Sequence, residues 1–169
     1  MDRDAWLDQH RAVIRDAIRT TGWSIQYIGG DTCSRPGCCP EDDDQPPFGY
    51  TVGLHGMDHP ELLMVGADPQ TTASVINTLG ERVKGGEALM PGMMLTFDDW
   101  PHRIVPEEVP NPGEILLWAN SFYDRPADYS VPALQLTYDD TAGRFPWDDG
   151  YAAPELQPRP GTFTAWFTA

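Results

Sequence analysis

Between Phe48 and Gly66 the chain reads F-G-Y-T-V-G-L-H-G-M-D-H-P-E-L-L-M-V-G, and no other stretch restricts the fold as much. Two β-rich runs, Tyr50–Leu54 and Leu62–Val65, flank a short polar segment holding His55, Asp58, His59, Pro60 and Glu61. Apolar runs bounded by glycine read as strands, and the Gly and Pro between them read as a turn. The spacing predicts a strand, a turn and a second strand, with every titratable group of the segment in the turn. Polar side chains on a turn held between strands stand where binding and chemistry tend to sit.

The rest of the chain supplies partners for that unit. Trp6, His10, Val13, Ile14, Ala17 and Ile18 repeat at helical spacing, with Arg11, Arg15 and Arg19 on a polar face and Gly22 as the stop. Trp23–Ile28 reads as a strand. Asp68-Pro69 opens a second helix whose apolar face is Val75, Ile76, Leu79 and Val83, and Gly85-Gly86 ends it. Met90–Trp100 predicts a strand. His102–Val109 predicts another, limited by Pro106 to an edge or an end. Glu114–Tyr123 predicts a helix, and Ala133–Tyr138 a strand with Leu134, Leu136 and Tyr138 on one face. This order predicts an α+β fold: one domain over 1–169, a mainly antiparallel sheet, and about three helices packed on one side of it. Residues 31–47 read as a Cys-, Asp- and Pro-rich insertion loop, and 150–169 as an irregular C-terminal tail.

Charge narrows the classes of partner. With 26 acidic and 11 basic residues the formal net charge is -15. That field repels nucleic acid phosphates and favours a basic protein surface, or simply keeps the chain soluble. No apolar run reaches the ~18–20 residues that span a bilayer, and Met1-Asp2-Arg3-Asp4 lacks the start of a secretion signal. The expected address is the cytoplasm. All three cysteines lie in the insertion loop as Cys33-x4-Cys38-Cys39. That spacing is not a zinc pattern, so reduced thiols outweigh a metal or redox site there.

The candidate pocket residues are Tyr50, Thr51, His55, His59, Glu61, Gln135, Asp139 and Arg144. His59 and Glu61 are the best acid–base pair, because His titrates near neutrality. Asp139, at a strand end, and Arg144, past a glycine turn, are placed to orient a polar or anionic substrate. Gly56 and Pro60 argue against a helix, so His55 and His59 do not have the geometry of two metal ligands on one helix face. The competing reading makes the same residues determinants of the fold: turn-ordering groups, a buried glutamine meeting its partner, and Arg144 paired with Asp139 or Asp140. Whether His59, Glu61, Asp139 and Arg144 share one pocket separates the two.

Three blocks together carry a resemblance: P-P-F-G-Y-T-V-G-L with H-P-E-L-L-M-V-G (46–54 and 59–66), A-L-Q-L-T-Y-D-D-T-A-G-R-F-P-W-D (133–148) and E-L-Q-P-R-P-G (155–161). In this order they resemble an uncharacterised family of small bacterial proteins, frequent in actinobacteria and filed as a domain of unknown function. That resemblance implies no reaction and no ligand. A looser likeness, in the order of T-V-G-L, H-P-E-L-L-M-V and the following helix, is to the flavin-reductase type of split barrel. It implies a flavin near Thr51 and the His55–Glu61 turn, although no basic cluster for the phosphate is evident.

Two functions from different classes follow. One is a protein-binding or inhibitory module, antitoxin- or immunity-like, that docks a basic protein surface. The other is a small-ligand or flavin-binding enzyme of split-barrel type, with its site around His59 and Glu61.

Overall fold

The computed structural model describes residues 2–29 and 46–164. Their elements run α1 (Arg3–Thr21), β1 (Ser24–Ile28), β2 (Phe48–Val52), β3 (Glu61–Val65), α2 (Pro69–Lys84), β4 (Ile104–Glu108), α3 (Leu117–Phe122) and β5 (Ala133–Tyr138). The five strands form one sheet in the order β1-β2-β3-β5-β4. All neighbours are antiparallel except β3 and β5, which run parallel. The fold is α+β, as the order of elements predicts.

The helices do not lie on one side. β3 shows why. Its run E-L-L-M-V is buried at every residue, and side chains alternate between faces along a strand. Leu63 and Val65 enter a core with Ile14 of α1, Ala119 of α3, Phe48, Tyr50 and Val52. Leu62 and Met64 enter a second core with Val75, Ile76, Leu79 and Val83 of α2, and Leu134 and Leu136 of β5. A continuous apolar run is the mark of a strand covered on both faces, so the one-sided arrangement is corrected to helices on both.

Two further expectations change. Met90–Trp100 forms no strand: Leu95 alone makes an isolated bridge, to Ile104. Pro91-Gly92 turns the chain at one end of the segment and Asp98-Asp99 bend it at the other. The split-barrel likeness implies a sheet closed on itself, whereas the sheet among the described residues is open, with β1 and β4 at its edges. Pro106 sits in β4 and therefore at an edge, where a missing N–H costs least.

Local devices fix the helices. Asp68 caps α2, its carboxylate accepting from the Thr71 N–H at 2.8 Å, with Pro69 in the first turn. Gly80 lies inside α2, where a Cβ would come 2.7 Å from the Trp23 ring. The Trp23 indole settles on that gap and donates to Asn77 Oδ1 at 3.0 Å. α3 is a short helix whose second residue, Trp118, donates its backbone N–H to the buried Tyr50 hydroxyl at 3.0 Å. At the far end of β5 the Gln157 side-chain amide plays the part of a missing strand: Oε1 accepts the Tyr138 N–H and Nε2 donates to the Tyr138 carbonyl. None of the helices among the described residues is long and apolar enough to cross a membrane.

Candidate functional site

The segment between β2 and β3 is a 3-10 turn, Leu54–Met57, entered through Gly53. Gly53 has φ +141, and a Cβ there would stand 2.5 Å from the Gly22 carbonyl, so only glycine fits. The entry aims successive backbone N–H groups inward at Glu61, the first residue of β3. Its Oε1 accepts from Gly53 N at 2.9 Å and His55 N at 3.0 Å. Its Oε2 accepts from Leu54 N at 3.2 Å and the Thr51 hydroxyl at 2.5 Å. The Thr51 oxygen in turn accepts the Leu62 N–H at 2.9 Å. Glu61 and Thr51 are both fully buried, and no cation among the described residues pairs with the carboxylate. Burial pushes the Glu61 carboxyl up to about 7, against the downward pull of Thr51 and the three backbone donors.

His59 uses both ring nitrogens within the chain. Nδ1 donates to the Pro60 carbonyl at 2.7 Å, which leaves Nε2 as the acceptor for the Leu89 N–H at 3.0 Å. No hydrogen bond joins the imidazole to Glu61. Tyr50 is committed to Trp118, and burial pushes its phenol pKa upward. His55 is the open member of this group: its ring stands edge-on to Tyr123 with centroids 4.8 Å apart, and Arg125 Nη2 is 3.5 Å from its Nε2.

Asp139 and Arg144 lie at the other end of the sheet. Glu61 pairs in register with Ala133 at the start of β5, and Asp139 follows the last residue of that strand. The intervening strand separates the two carboxylates by about 20 Å. His59, Glu61, Asp139 and Arg144 therefore do not share a pocket. Gln135, between the two ends, donates to the Pro158 carbonyl at 2.9 Å.

Asp139 is buried and pairs with Arg103, not Arg144. Its Oδ2 accepts Arg103 Nε at 2.9 Å and its Oδ1 accepts the Arg103 backbone N–H at 3.0 Å. Arg144 points outward; its backbone N–H donates to Asp140 Oδ1 and its Nη1 to the Gly150 carbonyl. Arg103 Nη2 donates to the Gly143 carbonyl, and the guanidinium lies 5.2 Å over the Phe145 ring. Phe145 stacks on Trp147 at 4.7 Å, and Arg159, held by Glu107, lies 5.2 Å over the Trp147 ring. Each ring of the stacked pair thus carries one cation, and each cation is paired with its own carboxylate.

Sequence reasoning missed His102. Its Nδ1 is 2.8 Å from the Asp139 carbonyl and 3.2 Å from Asp139 Oδ1, so Nδ1 is the donor. In the neutral ring Nε2 is then an acceptor, and it has no hydrogen-bond partner among the described residues. The ring stands 4.8 Å from that of Trp100, beside a groove lined by Thr96–Arg103. The run D-D-W-P-H-R was the available signal: acids, an aromatic, a histidine and an arginine within six positions. Among the described residues no three His, Cys, Asp or Glu side chains gather as a metal site. Cys33, Cys38 and Cys39 lie outside the described residues.

Compared with known families, residues 17–152 match the profile described as Domain of unknown function (DUF4262). The chain belongs to this family. The DUF4262 match runs from the last turns of α1 to beyond the Phe145–Trp147 stack, so it takes in both the Glu61 knot and the Asp139 cluster. Gln157 and Arg159 fall beyond it. Neither the curated proteins nor the solved structures gave a match.

Proposed function

We propose that this DUF4262 chain is a cytoplasmic protein-binding module that docks a basic protein surface in an inhibitory, antitoxin- or immunity-like role, and does not bind nucleic acid. One observation supports the reading above others: the distribution of ion pairs. Arg11, Arg82, Arg103 and Arg159 are each tied to a carboxylate of the chain itself. Asp98, Asp99, Asp124 and Asp128 are exposed and form no ion pair among the described residues. Internal pairing occupies four of the ten described basic side chains, while acids outnumber bases 26 to 11 in the chain and these four unpaired aspartates face outward. Such a surface steers a basic partner and disfavours an acidic one. The test is capture from the native cell extract, followed by binding of the purified partner as salt rises from about 50 to about 300 mM. Affinity falling at least tenfold supports the proposal; a partner whose binding ignores salt, or none at all, sinks it.

The alternative is a small-ligand or flavin-binding site around His59 and Glu61. A buried carboxyl pushed up to about 7 beside the part-exposed His55 favours it. Against it, every polar atom of the Glu61 carboxylate and the His59 ring has a partner within the chain. A thermal-shift panel of flavins separates the readings: a concentration-dependent rise that Thr51→Val removes speaks for the alternative, and no shift speaks against it.

A further inference from the structure

We propose that the groove formed by Thr96–Pro101 and the entry to β4 seats an arginine side chain of the basic partner. This rests on the docking reading above and assigns the residues that perform the recognition. Three properties of the groove select that chemistry.

The first is its aromatic wall. Phe97 meets Trp100 edge-on at 5.5 Å, and Trp100 also contacts His102 at 4.8 Å and Tyr138 at 6.1 Å. Trp100 is thereby fixed as a partly exposed ring, and a planar cation gains from stacking on such a face.

The second is a set of acceptors without donors of their own. Asp139 takes the His102 Nδ1 hydrogen, so in the neutral ring Nε2 keeps a lone pair with no partner among the described residues, on a residue that lines the groove. Asp98 and Asp99 line the same groove and accept no hydrogen bond from any described residue. A guanidinium carries five N–H donors in a planar fork and no acceptor, which complements this set.

The third is the fate of the one cation nearby. Arg103 lines the groove, but its Nε is bound to Asp139, its Nη2 to Gly143, and its plane to Phe145. It cannot fold back onto Asp98 and Asp99 without breaking all three contacts, so the groove's acceptors stay available to an incoming cation. An anionic ligand would meet both carboxylates.

The test is calorimetric titration of the full chain with hexa-arginine and hexa-lysine peptides at low salt. Two double variants carry equal charge changes: Asp98→Asn with Asp99→Asn in the groove, and Asp124→Asn with Asp128→Asn elsewhere on the surface. The expected result is hexa-arginine binding at least about fivefold tighter than hexa-lysine, since only the planar cation stacks. The groove pair should weaken hexa-arginine about tenfold, and the distant pair less than about threefold. Trp100→Leu, checked for folding by its circular dichroism, should remove the preference for arginine over lysine. Equal losses from the two double variants would overturn the groove assignment and leave the acidic docking surface standing. If neither peptide binds while a captured basic partner does, the groove assignment alone falls. If peptides and partner both fail, the docking reading falls with it.

Discussion

The Thr51 hydroxyl reaches the Glu61 carboxylate at 2.5 Å with neither side chain exposed to water. The same oxygen takes the Leu62 N–H, so one threonine closes both the β2–β3 ladder and the shell of donors around the acid. Removing the hydroxyl orphans a backbone donor and one lobe of a buried carboxylate together. Thr51→Val should destabilise the domain by about 2–3 kcal/mol in urea unfolding. A loss under half a kcal/mol would mean that water replaces the hydroxyl.

Glu61 gives the protein a pH dependence of unusual sign. Burial raises its folded pKa from 4.5 to about 7, so between those values the folded chain holds a proton that the unfolded chain has released. Stability from this group is therefore full below pH 4.5, declines as pH rises through the window, and is flat above 7. The change amounts to about 3 kcal/mol. Glu61→Gln cannot ionise, so the gap in unfolding free energy between wild type and variant should shift by that amount between pH 4.5 and 8. Parallel curves for the two proteins would refute the raised pKa.

Gly80→Ala sets helix propensity against packing. Alanine favours an exposed helix interior by about 1 kcal/mol over glycine, but here the new Cβ would press on three atoms of the Trp23 ring at 2.7–3.0 Å. Packing should win, with a net loss of about 1–3 kcal/mol and an altered near-ultraviolet dichroism of the displaced indole. A stabilised variant would show that Trp23 moves away freely.

Gln157→Ala should cost about 2–3 kcal/mol, because it leaves the N–H and carbonyl of Tyr138 without their partner. The loss should appear in hydrogen exchange as faster exchange at the Tyr138 amide, ahead of the rest of β5. Unchanged protection there would show that the tail is dispensable to the sheet.

The elements most legible in the sequence were those whose local pattern and tertiary role agree. Ala133–Tyr138 is a strand over the predicted residues, and Leu134 and Leu136 share the predicted face. The two-sided burial of β3 was written in L-L-M-V, but the alternation elsewhere favoured a sheet with one wet face. In Met90–Trp100 the apolar residues advertised a strand, while Pro91, Gly92, Asp98 and Asp99 ruled one out; Leu95 plugs a core from a loop instead. On α1 the stripe was real, yet Trp6 and Val13 remain half exposed because only Ile14 lies wholly within the core. Glu61 stands out in the sequence as an acid at the edge of an apolar strand. Its partners were not legible, since three of them are backbone N–H groups, which have no signature in side-chain chemistry. His102 was overlooked because its partner Asp139 lies 37 residues away in sequence.

The alternating side chains of β3 have a consequence for how the domain comes apart. Leu63 and Val65 belong to one core, Leu62 and Met64 to the other, so a single five-residue strand is the shared wall of both. Neither half can melt and leave the other a finished surface. Damage beneath α2 is felt beneath α1, and the described fold should lose its order as one cooperative unit, with no half-structured state in which one layer of helices survives.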